Sequence, residues 1–110
     1  MKMPNGERAV VDVRKLRDYC LSAEHPRGRH KARVFEATLG YTALHAEELR
    51  GVLLAAARSE LTVAGERDDF GQRYVVDMVV TGPVGRATVR SSWIIRSGED
   101  FPRLTSCYIA

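Results

Sequence analysis

The sequence predicts an α+β domain, with N-terminal helices packed on one face of a three- to four-stranded antiparallel sheet. Three observations carry this. Apolar residues recur at helical spacing through the first sixty positions, they alternate with period two from Tyr74 onward, and strong turn signals divide the alternating part. Helices first and a meander second is the order of an α+β domain rather than a βαβ repeat.

Pro4-Asn5-Gly6 opens the chain as a turn. Ala9-Val10-Val11 reads as a short strand or as the lead-in to a helix. Asp12 can cap a helix over 12–21, where Val13, Leu16 and Cys20 recur on one side. His25-Pro26-Arg27-Gly28 breaks the chain. A second helix then spans 29–39, with Ala32, Phe35 and Leu39 as its apolar stripe and Gly40 as terminator. Thr42 can cap a third helix over 43–59, with Leu49, Val52, Leu53 and Ala56 on one face. Gly65 to Gly71 is charged and reads as a turn. Tyr74–Thr81 and Ala87–Arg96 alternate as strands around the turn Gly82-Pro83-Val84-Gly85. Ser97-Gly98-Glu99-Asp100 reads as a second turn and Leu104–Ile109 as a last strand.

The turns imply a register. A four-residue loop at Gly82–Gly85 sets Asp77 opposite Arg90, and a similar loop at Ser97–Asp100 sets Ser92 opposite Thr105. Asp77, Arg90, Ser92 and Thr105 would then share a polar face, with Arg96 nearby. The other face would hold Tyr74, Val76, Met78, Val80, Val89, Trp93, Leu104 and Tyr108 under the helices. One extra loop residue flips part of this assignment.

The chain has 110 residues, 45% hydrophobic and 28% charged, which fits one globular domain over 1–110 and excludes a multi-domain enzyme or a large cofactor-binding fold. No apolar run reaches the ~20 residues of a membrane span, and Met1–Asp12 lacks the apolar centre of a signal peptide. A cytoplasmic protein with no membrane association is therefore expected. Cys20 and Cys107 lie far apart and make no metal or redox spacing. Beside His45, Glu47 and Glu48 lack a further ligand at metal spacing, so no metal and no cofactor is expected.

Seventeen basic against fourteen acidic residues leave a net charge of +3. Residues 61–110 carry six of each sign, so the excess lies in the first sixty. It is densest in His25–Arg33, which holds Arg27, Arg29, Lys31, Arg33, two histidines and no acid. Arginine grips phosphate through parallel hydrogen bonds, and a helix N-terminus attracts anions. Placing Arg29 and Lys31 in a first helical turn opposes the usual preference for acids there, and such a conflict is expected at functional sites. His25 and His30 can exchange protons near neutral pH. The plainer readings are a solvated basic run, an Asp77–Arg90 ion pair, a core Trp93, and a Tyr108 that is core or borders a sheet-face site.

Asp12…Lys15-Leu16-Arg17-Asp18-Tyr19, His25-Pro26-Arg27-Gly28-Arg29-His30-Lys31-Ala32-Arg33-Val34-Phe35, Gly71-Gln72-Arg73-Tyr74, Thr81-Gly82-Pro83…Gly85-Arg86, Arg90-Ser91-Ser92-Trp93-Ile94-Ile95 and Pro102-Arg103-Leu104-Thr105-Ser106-Cys107-Tyr108 resemble a small bacterial domain family of unknown function. The resemblance spans nearly the whole chain and brings no activity with it. More distantly, helices before a meander, a His/Lys-Ala-Phe helix, a mid-strand arginine and a hydroxyl on the last strand resemble the barnase–EndoU–colicin–RelE-like toxin nucleases. Those cut RNA without metal through the 2′-hydroxyl. That resemblance implies Lys31 and Arg90 at the phosphate, Thr105 touching it, and His25 or His30 as base or acid. Arg27, Arg29, Arg33 and Arg96 would bind flanking RNA. No histidine pair of EndoU type falls in place.

The expected function is thus a metal-independent RNase-like toxin module, held in check by a small antitoxin or immunity partner. The alternatives are a non-enzymatic module docking an acidic partner protein, and a plain anion or nucleic-acid binder.

Overall fold

A computed structural model describes residues 1–110. Asn5 adopts a left-handed conformation (φ 52°) and starts a 3-10 turn at Gly6–Arg8. Val10 then forms a single parallel bridge with Arg103, so Ala9–Val11 is a lead-in that runs beside the sheet edge. Helix α1 is a single turn, Val13–Lys15, capped by the Asp12 carboxylate on the Arg14 amide. It continues as a π turn, Leu16–Cys20, closed by Leu21 N–H on Leu16 C=O. The helix expected over 12–21 is therefore wider than an α-helix over its second half.

Helix α2 is Arg29–Leu39 and ends where Gly40 turns left-handed (φ 76°), as the sequence predicts. Its buried stripe is Ala32, Phe35 and Leu39. Thr42 caps the next segment by accepting from the Leu44 amide. That segment begins as a 3-10 turn, Ala43–His45, before helix α3, Ala46–Ser59. His45 closes a capping box with Thr42 and stacks on Tyr41.

Four strands follow: β1 Thr62–Asp68, β2 Gly71–Thr81, β3 Arg86–Arg96 and β4 Arg103–Ile109. They form one antiparallel meander in chain order. The expected turn at Gly65–Gly71 is thus mostly strand. Every side chain of β1 after Thr62 is exposed, so the segment carries no buried alternation and is held by backbone pairing at the sheet edge. The β2–β3 register is the expected one, with Thr81 opposite Arg86 and Asp77 opposite Arg90.

The β3–β4 register departs from expectation. The connection runs through Pro102, and a bulge interrupts the ladder after Ser92. Ser92 faces Ser106, Trp93 faces Leu104, and Thr105 is the extra residue between them. Tyr108 consequently pairs with Arg90 on the open face, rather than lying under the helices.

The helices cover the face that holds Tyr74, Val76, Val80, Val89, Trp93, Leu104 and Cys107. Trp93 is wholly buried, and its indole N–H donates to Ser91 Oγ, which itself donates to Val76 C=O. Ser91 thereby satisfies the one polar atom a buried tryptophan brings into a core.

Candidate functional site

The site lies where α2 and the π turn meet β4. Lys31 sits on the inner side of α2, two residues from Arg29 and from Arg33, which share the outer face one turn apart. Its Nζ lies 3.5 Å from Ser106 Oγ, 5.3 Å from the centre of the Tyr108 ring and 5.9 Å from that of Tyr19. No carboxylate pairs with it. Its stem is half-buried between two aromatic faces, and each face attracts the ammonium.

Arg90 reaches Tyr108 from the other side. Two parallel 2.9 Å hydrogen bonds join its guanidinium to Asp77 across the β2–β3 ladder. Those bonds, and next the Tyr108 hydroxyl, hold the Arg90 pKa above the ordinary arginine value. The same fork keeps the Asp77 carboxyl below the usual carboxylate range. Tyr108 therefore links Lys31, from the helical layer, to Arg90 and Asp77 on the open sheet. Beside this row lies a shallow groove of about 470 Å³, lined by Leu61, Val63, Val75, Asp77, Arg90, Ser92 and Tyr108.

The histidines stand apart from one another. His25 Nδ1 accepts from the Arg27 and Gly28 amides at 3.0 and 3.1 Å, which caps the entry to α2 where Gly28 has no side chain to do so. Its ring meets Tyr19 edge-on at 4.6 Å, so it borders the Lys31 cluster through that tyrosine. His30 is exposed, and its ring forms no hydrogen bond. Arg27, Arg29 and Arg33 are exposed and bonded to no acid, whereas Arg8, Arg14, Arg17, Arg73, Arg90 and Arg103 all pair with carboxylates. Thr105 donates to Ser92 C=O at 3.0 Å from its bulge. Arg96 pairs with Gly71 at the far end of β3, away from Lys31.

Sequence reasoning gave Tyr19 no role at a site and left Tyr108 undecided between core and site border. Their role as the faces around Lys31 depends on the π turn and on the β3–β4 bulge, and neither has a local signal. Cys20 and Cys107, separate in sequence, are both buried in the core cluster. Hydrogen bonding toward Cys107 and Ser106, with the Lys31 charge beyond, lowers the Cys20 pKa to about 6. The Cys20 interaction and burial push the Cys107 thiol up.

No group of three or more His, Cys, Asp or Glu side chains gathers in a form that would hold a metal ion. No helix is long and apolar enough to cross a membrane. A search of curated proteins finds no match. The model of one family, described as a domain of unknown function (DUF6883), matches residues 2–110, and the chain belongs to that family.

Proposed function

We propose that this domain is a metal-independent, toxin-like ribonuclease whose phosphate site is the Lys31–Tyr108–Arg90 row. The observation that carries the reading is the meeting of Lys31 and Arg90 on Tyr108, two cations delivered by different layers of the fold to one aromatic residue. An unpaired ammonium beside a guanidinium suits a phosphodiester, whose charge rises as the 2′-oxygen attacks. The Tyr19 and Tyr108 rings can stack on bases, a contact that tolerates any sequence. Arg27, Arg29 and Arg33 supply cations for flanking phosphates. In this reading Asp77 orients the Arg90 fork, and His25 carries a proton to or from the reacting oxygens. The 2′-oxygen bonds to phosphorus, the 5′-oxygen leaves with a proton, and a 2′,3′-cyclic phosphate remains.

A second reading rests on a different observation. Leu61 and Val63 are 75% and 68% exposed on the open face, and Val79 is exposed there too. Apolar side chains around a groove that also holds the Asp77–Arg90 pair fit a protein partner, with or without nuclease activity underneath.

Inducible bacterial expression of the wild type beside K31A/R90A, with total RNA examined after induction, tests both. Fragmented RNA and arrested growth that vanish in the double variant support the nuclease, and cleavage by purified protein in the presence of a chelator supports its metal independence. Intact RNA and normal growth, with both proteins folded, overturn the nuclease and leave the partner-binding module.

A further inference from the structure

The proposed mechanism leaves Arg96 and one small cleft unused. The cleft has a volume of about 280 Å³ and lies at the far end of the sheet, about 20 Å along β3 from Arg90. Arg67 and Arg96 line it, from the strands on either side of β2. Both are exposed, and neither pairs with a carboxylate. Gly71 stands opposite Arg96 on the strand between, with no side chain to fill the gap. The one carboxylate lining the cleft, Glu99, is committed to Arg103 through two 2.9 Å bonds, which leaves the cleft with an excess of positive charge. Tyr74 also lines it. That residue is 8% exposed and belongs to the core, yet its hydroxyl has no hydrogen-bond partner in the protein. No side-chain polar atom is sealed without a partner, so the hydroxyl meets solvent, and this is the one surface cavity that Tyr74 lines. A buried phenol with a free hydroxyl, beside two unpaired guanidiniums, is a donor set for an anion.

We propose that this cleft is a second binding site and that it takes a phosphomonoester. A terminal phosphate carries about two negative charges and three free oxygens, which match two guanidiniums and one hydroxyl. A phosphodiester within a chain offers a single charge and two free oxygens, so one of these donors would be left over. The volume is close to the lower end for ligand pockets and gives room for a phosphoryl group and the carbons next to it. Ile95 and the Tyr74 ring offer those carbons an apolar wall. The end of an oligonucleotide and a small phosphorylated metabolite both present this group, and the test separates them. The cleft shares no residue with the Lys31–Tyr108–Arg90 row, and the proposal does not rest on the nuclease reading.

The test is a titration followed by amide NMR at constant ionic strength, which separates this cleft from the Lys31 row residue by residue. Inorganic phosphate should move the Gly71, Ser97 and Gly98 amides along a saturating curve, and chloride should not. R67A/R96A should weaken that binding by about tenfold or more, and Y74F by about three- to tenfold with an unchanged thermal midpoint. Shifts that rise without saturating would overturn the proposal, as would unaltered binding in R67A/R96A or in Y74F. Should R67A/R96A fail to fold, the wild-type titration and Y74F, which keeps the buried ring, decide the matter. A short 5′-phosphorylated DNA, its unphosphorylated counterpart and glycerol phosphate then identify the source. DNA lacks the 2′-hydroxyl, so it stays intact. Tighter binding of the phosphorylated DNA than of glycerol phosphate supports an oligonucleotide end, and the reverse order supports a metabolite. Equal binding of the two DNAs at these amides would overturn recognition of a monoester. RNA cleavage enters none of these readouts, so failure here is separable from failure of the nuclease.

Discussion

His25 shows how one side chain can hold two jobs that substitution can separate. Its Nδ1 accepts from two amides at the entry to α2, so removing it leaves those donors to water. His25→Ala should cost about 1 kcal/mol, the usual scale of a lost helix cap, read from urea unfolding. His25→Asn restores a cap acceptor but carries no proton near neutral pH. It should keep the wild-type stability and lose RNA cleavage if His25 moves a proton, and cleavage unchanged in this variant would remove His25 from the mechanism. Cys20 adds a pH dependence of known sign. Its folded pKa of about 6 lies below the reference value of 9.0, so its contribution to stability is full above pH 9. That contribution is lost as pH falls toward 6. Cys107, whose pKa is raised, opposes it only at the alkaline end. Between pH 6 and pH 9 the wild-type urea midpoint should climb more steeply than that of Cys20→Ala.

At the scale of elements, the site depends on a close backbone approach. A Cβ on Gly28 would come within 2.2 Å of the Tyr19 carbonyl oxygen, so the π turn and the start of α2 touch through a residue with no side chain. Gly28→Ala must separate them. It should cost about 1–3 kcal/mol by overpacking and disturb the Tyr19 face beside Lys31, visible as a lower thermal midpoint together with weakened RNA binding. The contrast between the two hairpins of the sheet explains what could be read in advance. Gly82-Pro83-Val84-Gly85 is short and closed by a Gly82 N–H bond to Gly85 C=O, and its composition alone sets Asp77 opposite Arg90. The link to β4 is longer, and its bulge at Thr105 shifts the pairing, so Ser106 rather than Thr105 stands opposite Ser92 and Tyr108 comes to the open face. A bulge has no compositional signature when the extra residue is threonine rather than glycine. Strand β1 escaped notice because periodicity reports burial, and this strand buries only Thr62.

For the whole molecule, the order of helices, the covered sheet face and a buried Trp93 follow from hydrophobic pattern, because burial is what that pattern records. The junction of helix and sheet edge does not. Lys31 and Tyr108 meet through tertiary packing, and no local spacing encodes it. Charge behaves in the same divided way. Six arginines are tied to carboxylates, while the cations between Arg27 and Arg33 are tied to none. If RNA binds there and about three to four phosphates are neutralised, the affinity should fall with salt on a log–log slope of about −2 to −3. Fluorescence anisotropy with a labelled oligonucleotide measures it. A slope near zero would show that these cations stay solvated. Exposed ion pairs elsewhere add little to stability, so Arg8→Ala or Arg17→Ala should leave the thermal midpoint nearly unchanged.

Trp93 has a practical consequence. It is the only tryptophan, it is sealed between helices and sheet, and its indole N–H is held by Ser91. Its emission is that of an indole shielded from water and shifts to the red only when the two layers part. A ligand seated on the open face or at the Lys31 edge leaves that shielding intact. Intrinsic fluorescence is thus a built-in gauge of core integrity that stays silent to occupancy of the site. Any variant with normal tryptophan emission and lost activity has lost chemistry rather than fold. Trp93→Ala, which removes the gauge, should itself cost about 3–5 kcal/mol by circular dichroism.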